Sequence, residues 1–141
     1  MSEFYIKQVT WASHEPELRQ VREQVFIVEQ RVPVWAEWDE HDQSATHLLA
    51  YDATHQAIGC ARLLDTGRIG RMGVLKAWRG KGVGQALLEK AITIFKEKGF
   101  TEITLSSQTH AVGFYEQAGF KVISEAYIDA NIWHVDMQLL L

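Results

Sequence analysis

Val74-Leu75-Lys76-Ala77-Trp78-Arg79-Gly80-Lys81-Gly82-Val83-Gly84-Gln85-Ala86-Leu87-Leu88 is the stretch that decides how this chain is read. A strand runs into a short basic, glycine-rich loop, and the loop opens a helix. Glycine lets a backbone approach a ligand closely and adopt positive φ. The unserved N–H groups at a helix start, with the helix dipole behind them, form an anion site. Arg79 and Lys81 add positive charge, so a phosphate or diphosphate ligand is expected there. Three glycine loops compete for this reading. A Walker A loop fails, because Leu75 falls at its first glycine and Gly82 at its hydroxyl position. The dinucleotide pattern Gly-x-Gly-x-x-Gly fails, because Gln85 or Leu87 falls at its third glycine. The pattern Arg/Gln-x-x-Gly-x-Gly/Ala is met by Arg79, Gly82 and Gly84.

Working outward, Val83, Leu87, Leu88, Ala91, Ile92 and Phe95 recur at helical spacing, and Gly99 stands where a C-terminal cap belongs. Residues 102–106 read as a strand, 111–118 as a short helix stopped by Gly119, and 121–127 and 132–140 as two further strands. Upstream, 47–51, 57–64 and 68–75 read as an antiparallel meander with a polar turn at 52–56. Residues 5–9 alternate as a first strand. Pro16 suits the first turn of a helix expected over 16–29, and 31–45 reads as irregular. The order β-α-β-β-β-α-β-α-β-β predicts an α+β fold: a mixed, mostly antiparallel sheet with helices on its faces.

With 141 residues the chain is expected to form one domain, residues 1–141. A hydrophobic content of 47% against 23% charged residues argues against disorder. The net charge of -4 does not favour nucleic acid as a partner. One cysteine, Cys60, excludes an internal disulfide, and its strand position suggests an inert buried thiol. The N-terminus lacks the basic and apolar regions of a signal peptide, and no apolar run is long enough to span a bilayer. A soluble cytoplasmic protein with no membrane partner is therefore expected.

On the Arg79–Gly82–Gly84 pattern, the chain resembles the GNAT superfamily of acyl-CoA-dependent N-acetyltransferases, whose diphosphate loop has this form. The strand Gly70-Arg71-Met72-Gly73-Val74 precedes the loop at the expected distance. Gln108-Thr109-His110-Ala111-Val112-Gly113-Phe114-Tyr115-Glu116-Gln117-Ala118-Gly119-Phe120 looks like the second signature of the superfamily. The stretches 25–33 and 126–134 are similar to a small bacterial branch often called YjcF-like, except that Trp133 stands where that branch has proline. The resemblance implies acetyl-CoA as co-substrate and no metal. It implies an amine acceptor, on a small molecule or a peptide, and allows a homodimer. The cofactor would meet Gly80, Lys81, Val83 and Gln85 besides the three pattern residues. It would also meet Met72, Gly73 and Val74 along the strand, then Gln108, Ala111, Phe114 and Tyr115.

The resemblance places the general acid for the leaving thiolate at Tyr115; a plain core role for Phe114 and Tyr115 is the alternative. For the base, His47, His134 and Glu29 are candidates, while a water relay or a neutral amine would need none of them. Both histidines equally suit structural roles as strand residues. The acidic run Glu37, Asp39, Glu40, Asp42 reads as a solvated loop face, with steering of a cationic amine as the alternative. Asp39, His41, Asp42 and His47 match no strong metal-ligand spacing. Trp35 and Trp38 either wall an acceptor pocket or pack under the loop. The leading expectation is direct acetyl transfer from acetyl-CoA to an amine, since no activated nucleophile is apparent. A non-catalytic acyl-CoA sensor is the alternative, and a longer acyl chain or a hydroxyl acceptor is a third reading.

Overall fold

The computed structural model describes residues 3–141. Strand β1 (Phe4–Val9) leads into helix α1 (Trp11–Arg22), which continues as a π-helical segment, Glu23–Glu29. A four-residue helix α2 (Val34–Glu37) and a 3-10 turn (Glu40–Gln43) follow. The meander is β2 (Thr46–Asp52), β3 (Ala57–Leu64) and β4 (Arg68–Val74). Next come α3 (Val83–Glu97), β5 (Glu102–Gln108), α4 (Val112–Gln117), β6 (Lys121–Val122), β7 (Tyr127–Asp129) and β8 (Ile132–Leu140). The strands form one sheet in the order β1-β2-β3-β4-β5-β8-β6, with β7 also on β8. Every pairing is antiparallel except β4 with β5. The α+β class and the mixed sheet are as the sequence predicts.

Both faces of β2 are buried, and its alternation shows why. Leu48 and Ala50 join the core beneath α3, with Leu63, Ile69, Ile103, Leu105 and Met137. Leu49 and Tyr51 join a second core beneath α1, with Leu18, Val21, Val25 and Cys60. Helices therefore cover opposite faces of the sheet.

The first helix departs from expectation in an added lead-in turn and in the form of its far end. It begins at Trp11, where Thr10 and Ser13 make a reciprocal capping box. His14 has non-helical φ/ψ, so Trp11–Arg22 is two helical pieces joined at a kink, and Pro16 falls in the first turn of the longer one, as the sequence predicts. Its far end is π-helical, where the β-branched residues of Val25-Phe26-Ile27-Val28 make regular α-helix less favourable. The expected strand over 121–127 is interrupted after Val122. There Ser124 Oγ accepts the Asp136 N–H at 2.8 Å, replacing a ladder rung.

The acidic run is a correction of larger consequence. Glu37 and Asp42 are buried, 2% and 3% exposed. Arg22, itself 1% exposed, donates from Nε to Glu37 at 2.7 Å and from Nη1 to Asp42 at 2.6 Å. Arg62 reaches both Asp39 and Asp42, and Arg71 reaches Glu37 and Asp39. Three arginines and three carboxylates thus clamp residues 34–42 onto the sheet rather than presenting a solvated face. Trp38 belongs to this clamp, with the Arg22 guanidinium 4.9 Å from its ring centre, whereas Trp35 is 84% exposed.

Candidate active site

β4 and β5 pair at only two positions, Arg68 with Thr104 and Ile69 with Leu105. Beyond them the strands diverge, and a cavity of about 830 Å³ occupies the gap. A bulge helps to bend β4 here. Cys60 pairs with Gly73 but Arg62 with Gly70, so one extra residue lies on β4. Arg71 takes it up at φ 46°. Gly73 is closely approached by the chain itself: a Cβ there would stand 2.9 Å from Val25 Cγ1.

Met72, Gly73 and Val74 line one wall, as expected. Arg79, Gly80, Gly82, Val83, Gly84 and Gln85 line the loop end. Gln108, Ala111, Phe114 and Tyr115 line the opposite wall. Lys81 is outside the lining, with its ammonium 5.3 Å from the Trp78 ring centre. Gly80 and Gly82 have φ of 76° and 86°, and a Cβ on either would meet nothing within 4 Å, so the loop leaves open space for a ligand. Gly82 is the N-cap of α3 and supplies no side-chain cap, so the first amides of a 15-residue helix await an acceptor. These features fit a diphosphate.

Tyr115 faces Met72 across the cavity, its hydroxyl donating to Sδ at 3.7 Å. Burial pushes its pKa up to about 12, so it stays protonated at neutral pH. The base candidates separate. Glu29 lines the cavity, but both its oxygens are held by the Arg79 fork at 2.5 Å. Those hydrogen bonds keep its carboxyl below the usual range. His47 is not in the lining. It is 1% exposed, its ring centre is 5.6 Å from that of Trp11, and its Nε2–H donates to the Asp42 carbonyl at 2.8 Å. Burial holds its pKa down. His134 also stands outside the lining, directly opposite Gln108 in the β5–β8 register. Its Nδ1–H donates to the Ile132 carbonyl at 2.7 Å, which leaves the lone pair of the neutral ring on Nε2.

The sequence reading missed Val25, Gln30, Trp78, His110 and Ile132 as cavity residues. Trp78 and His110 lay inside the two motifs. Val25, Gln30 and Ile132 lay inside the stretches 25–33 and 126–134 that resemble the bacterial branch, but no role was read for them. Among the described residues, no group of three or more His, Cys, Asp or Glu is placed to hold a metal ion, and no helix is long and apolar enough to cross a membrane.

Comparison with known proteins defines the class, an acyltransferase of a family that uses acyl-CoA. The chain belongs to the GNAT family: the family model of the acetyltransferase (GNAT) domain matches residues 14–141. It is 35% identical over 133 residues to the uncharacterized N-acetyltransferase YjcF of Bacillus subtilis (strain 168), covering 89% of this chain and 94% of that protein. The crystal structure of an acyl-CoA N-acyltransferase from Pseudomonas aeruginosa matches with TM-score 0.83 at 31% identity, over 98% of this chain and 99% of that one. Escherichia coli ElaA matches with TM-score 0.83 at 29% identity, over the same shares of the two chains.

Proposed function

We propose that the protein is an acetyl-CoA-dependent N-acetyltransferase. It passes an acetyl group directly to a primary amine, of a small molecule or a peptide, in a ternary complex. The observation that carries this reading is the open glycine loop at the uncapped start of α3, at one end of the gap between β4 and β5. Acetyl-CoA supplies a thioester, with an electrophilic carbonyl carbon and a sulfur leaving group.

The chain's own groups suit each need of the reaction. Gly80 to Gln85 and Arg79 receive the diphosphate. Among the described residues β4 has no strand partner on its β5 side beyond Ile69, which leaves its main chain for an extended pantetheine arm and a developing oxyanion. Tyr115 holds its proton and donates it toward the departing sulfur. Full transfer from this buried phenol near 12 to a thiolate with the ~8.5 of a thiol in water would be uphill. Within the cavity the thiolate meets the same loss of solvation, which narrows the gap. His134 offers Nε2 to the proton lost by the attacking nitrogen. His47 is held within the clamp; Glu29, paired with Arg79 here, is a second candidate once the diphosphate takes that arginine.

The test is thermal unfolding with and without acetyl-CoA, against ATP and desulfo-CoA, followed by thiol release with a panel of amines. A ligand at about 100 times its Kd stabilises by ~2.7 kcal/mol, a shift of several degrees for a domain of this size. A shift with both CoA compounds but not with ATP supports the cofactor assignment. No shift at millimolar acetyl-CoA refutes it.

A further inference from the structure

Two consecutive side chains at the end of the π-helical segment reach the two walls of the cavity. Glu29 occupies both terminal nitrogens of Arg79, at 2.5 Å each. Gln30, through Oε1, accepts a 2.7 Å hydrogen bond from the Gln108 side-chain amide. Arg79 belongs to the glycine loop and Gln108 to the end of β5, so one short piece of chain ties the loop to the opposite wall. A guanidinium presents its bidentate fork to one planar or tetrahedral anion at a time. Arg79 therefore cannot grip Glu29 and a diphosphate through the same two nitrogens. Its remaining Nε is already spent on the Val74 carbonyl, at 3.0 Å.

The segment ends in an irregular turn. Gln30 N–H bonds the Val25 carbonyl at 3.2 Å, a π-type i→i+5 closure. The chain then turns away through Arg31 at φ 60°, a left-handed conformation in a non-glycine residue. Glu29 is exposed, so its release costs no buried contact.

We propose that Glu29 and Gln30 form a strap that stands in for the acyl donor. Glu29 fills the place of the donor's diphosphate on Arg79. Gln30 fills the place of a pantetheine amide on Gln108. Donor binding is then an exchange of partners, and Glu29 and Gln30 are positioning residues that set donor affinity. This rests on the acyl-CoA reading above.

The test is calorimetric binding of two probes, CoA and adenosine 3′-phosphate 5′-diphosphate; the second carries the diphosphate without pantetheine. Glu29→Gln is expected to tighten both probes by about 2- to 5-fold, the range for an exposed ion pair. In an Arg79→Gln background that gain disappears. Gln30→Ala is expected to tighten CoA several-fold, as for one net hydrogen bond, and to leave the second probe unchanged. Tighter binding is an effect that unfolding cannot imitate. Equal tightening by Glu29→Gln with and without Arg79 would mean simple charge repulsion and overturns the strap. So does a Gln30→Ala effect on both probes or on neither. Failure of the unaltered protein to bind either probe removes the acyl-CoA reading itself, and the strap with it.

Discussion

Asp42→Asn tests the buried clamp over the sheet. The substitution keeps the volume and removes one charge. Asparagine keeps an oxygen for Arg22 and Arg62 to reach but not its charge, leaving two buried guanidinium groups short of negative charge. Arg62 is already under-served, since among the described residues its Nε has no hydrogen-bond partner. Breaking a buried pair from one side costs about 3–5 kcal/mol. Unfolding entropy of about 2.1 cal/mol/K per residue gives ~0.3 kcal/mol/K for this chain. The expected fall in Tm is therefore about 10–17 °C, a large part of a total stability of roughly 5–15 kcal/mol. The assay is thermal unfolding by circular dichroism at pH 7, at low and high salt. Glu15→Gln is the control, because its pair with Arg19 is over 40% exposed on both sides. That change is expected to cost under about 1 kcal/mol, or ~3 °C, and to matter less as salt rises. A Tm for Asp42→Asn within about 3 °C of the unaltered protein would refute the buried network.

Four further outcomes are expected. Gly73→Ala forces a Cβ to 2.9 Å from Val25 Cγ1, and overpacking of this kind costs about 1–3 kcal/mol, read as a lower Tm. Tyr115→Phe lowers kcat by about 10²–10⁴ with acetyl-CoA affinity unchanged; equal turnover at saturation across several pH values removes the acid role. Cys60→Ala keeps full turnover, because burial pushes that thiol up to about 12 and its Sγ donates to the Arg71 carbonyl; lost turnover would favour an acyl-enzyme. Stability falls in two stages on acidification, measured as Tm against pH. His47, held down by burial, contributes stability above about 6.5 that is lost as pH drops below it. For Asp39 and Asp42, burial acts upward but their arginine hydrogen bonds prevail and lower the carboxyls, so their contribution is lost below about 4. A flat Tm from pH 7 to pH 5 would contradict the His47 stage.

The glycine loop and α3 were legible because their signals are local. Positive φ, a missing cap and a 3.6-residue stripe all lie within a few residues of one another. The meander was legible for the same reason, its strands being separated by short polar turns. The clamp was not. Arg22 finds Glu37 and Asp42 across 15 and 20 residues of chain, and nothing in a run of acids tells a buried run from a solvated one. Pro16 marked the first turn of the longer piece of α1, while the short turn before the His14 kink, capped by Thr10 and Ser13, was not read. Ser124 shows another limit: a hydroxyl replaced a main-chain rung, and alternation alone does not reveal that. In the site, the two motifs led to cavity-lining residues. The three base candidates needed tertiary structure to be separated, because only the fold shows what each side chain already holds.

The parting of β4 from β5 has a mechanical side. Ile69 and Leu105 form the last rung before the strands separate, and Val74 lies five residues further along β4. At about 3.3 Å per residue that is a lever of roughly 17 Å. A tilt of about 5° at the rung swings the strand tip by ~1.5 Å, and a misplacement of ~1 Å at reacting atoms can cost about a hundredfold in rate. Ile69 and Leu105 are fully buried and are not themselves among the residues that line the cavity. They nevertheless act as its fulcrum, so trimming either side chain alters the angle at which the two jaws meet the substrate.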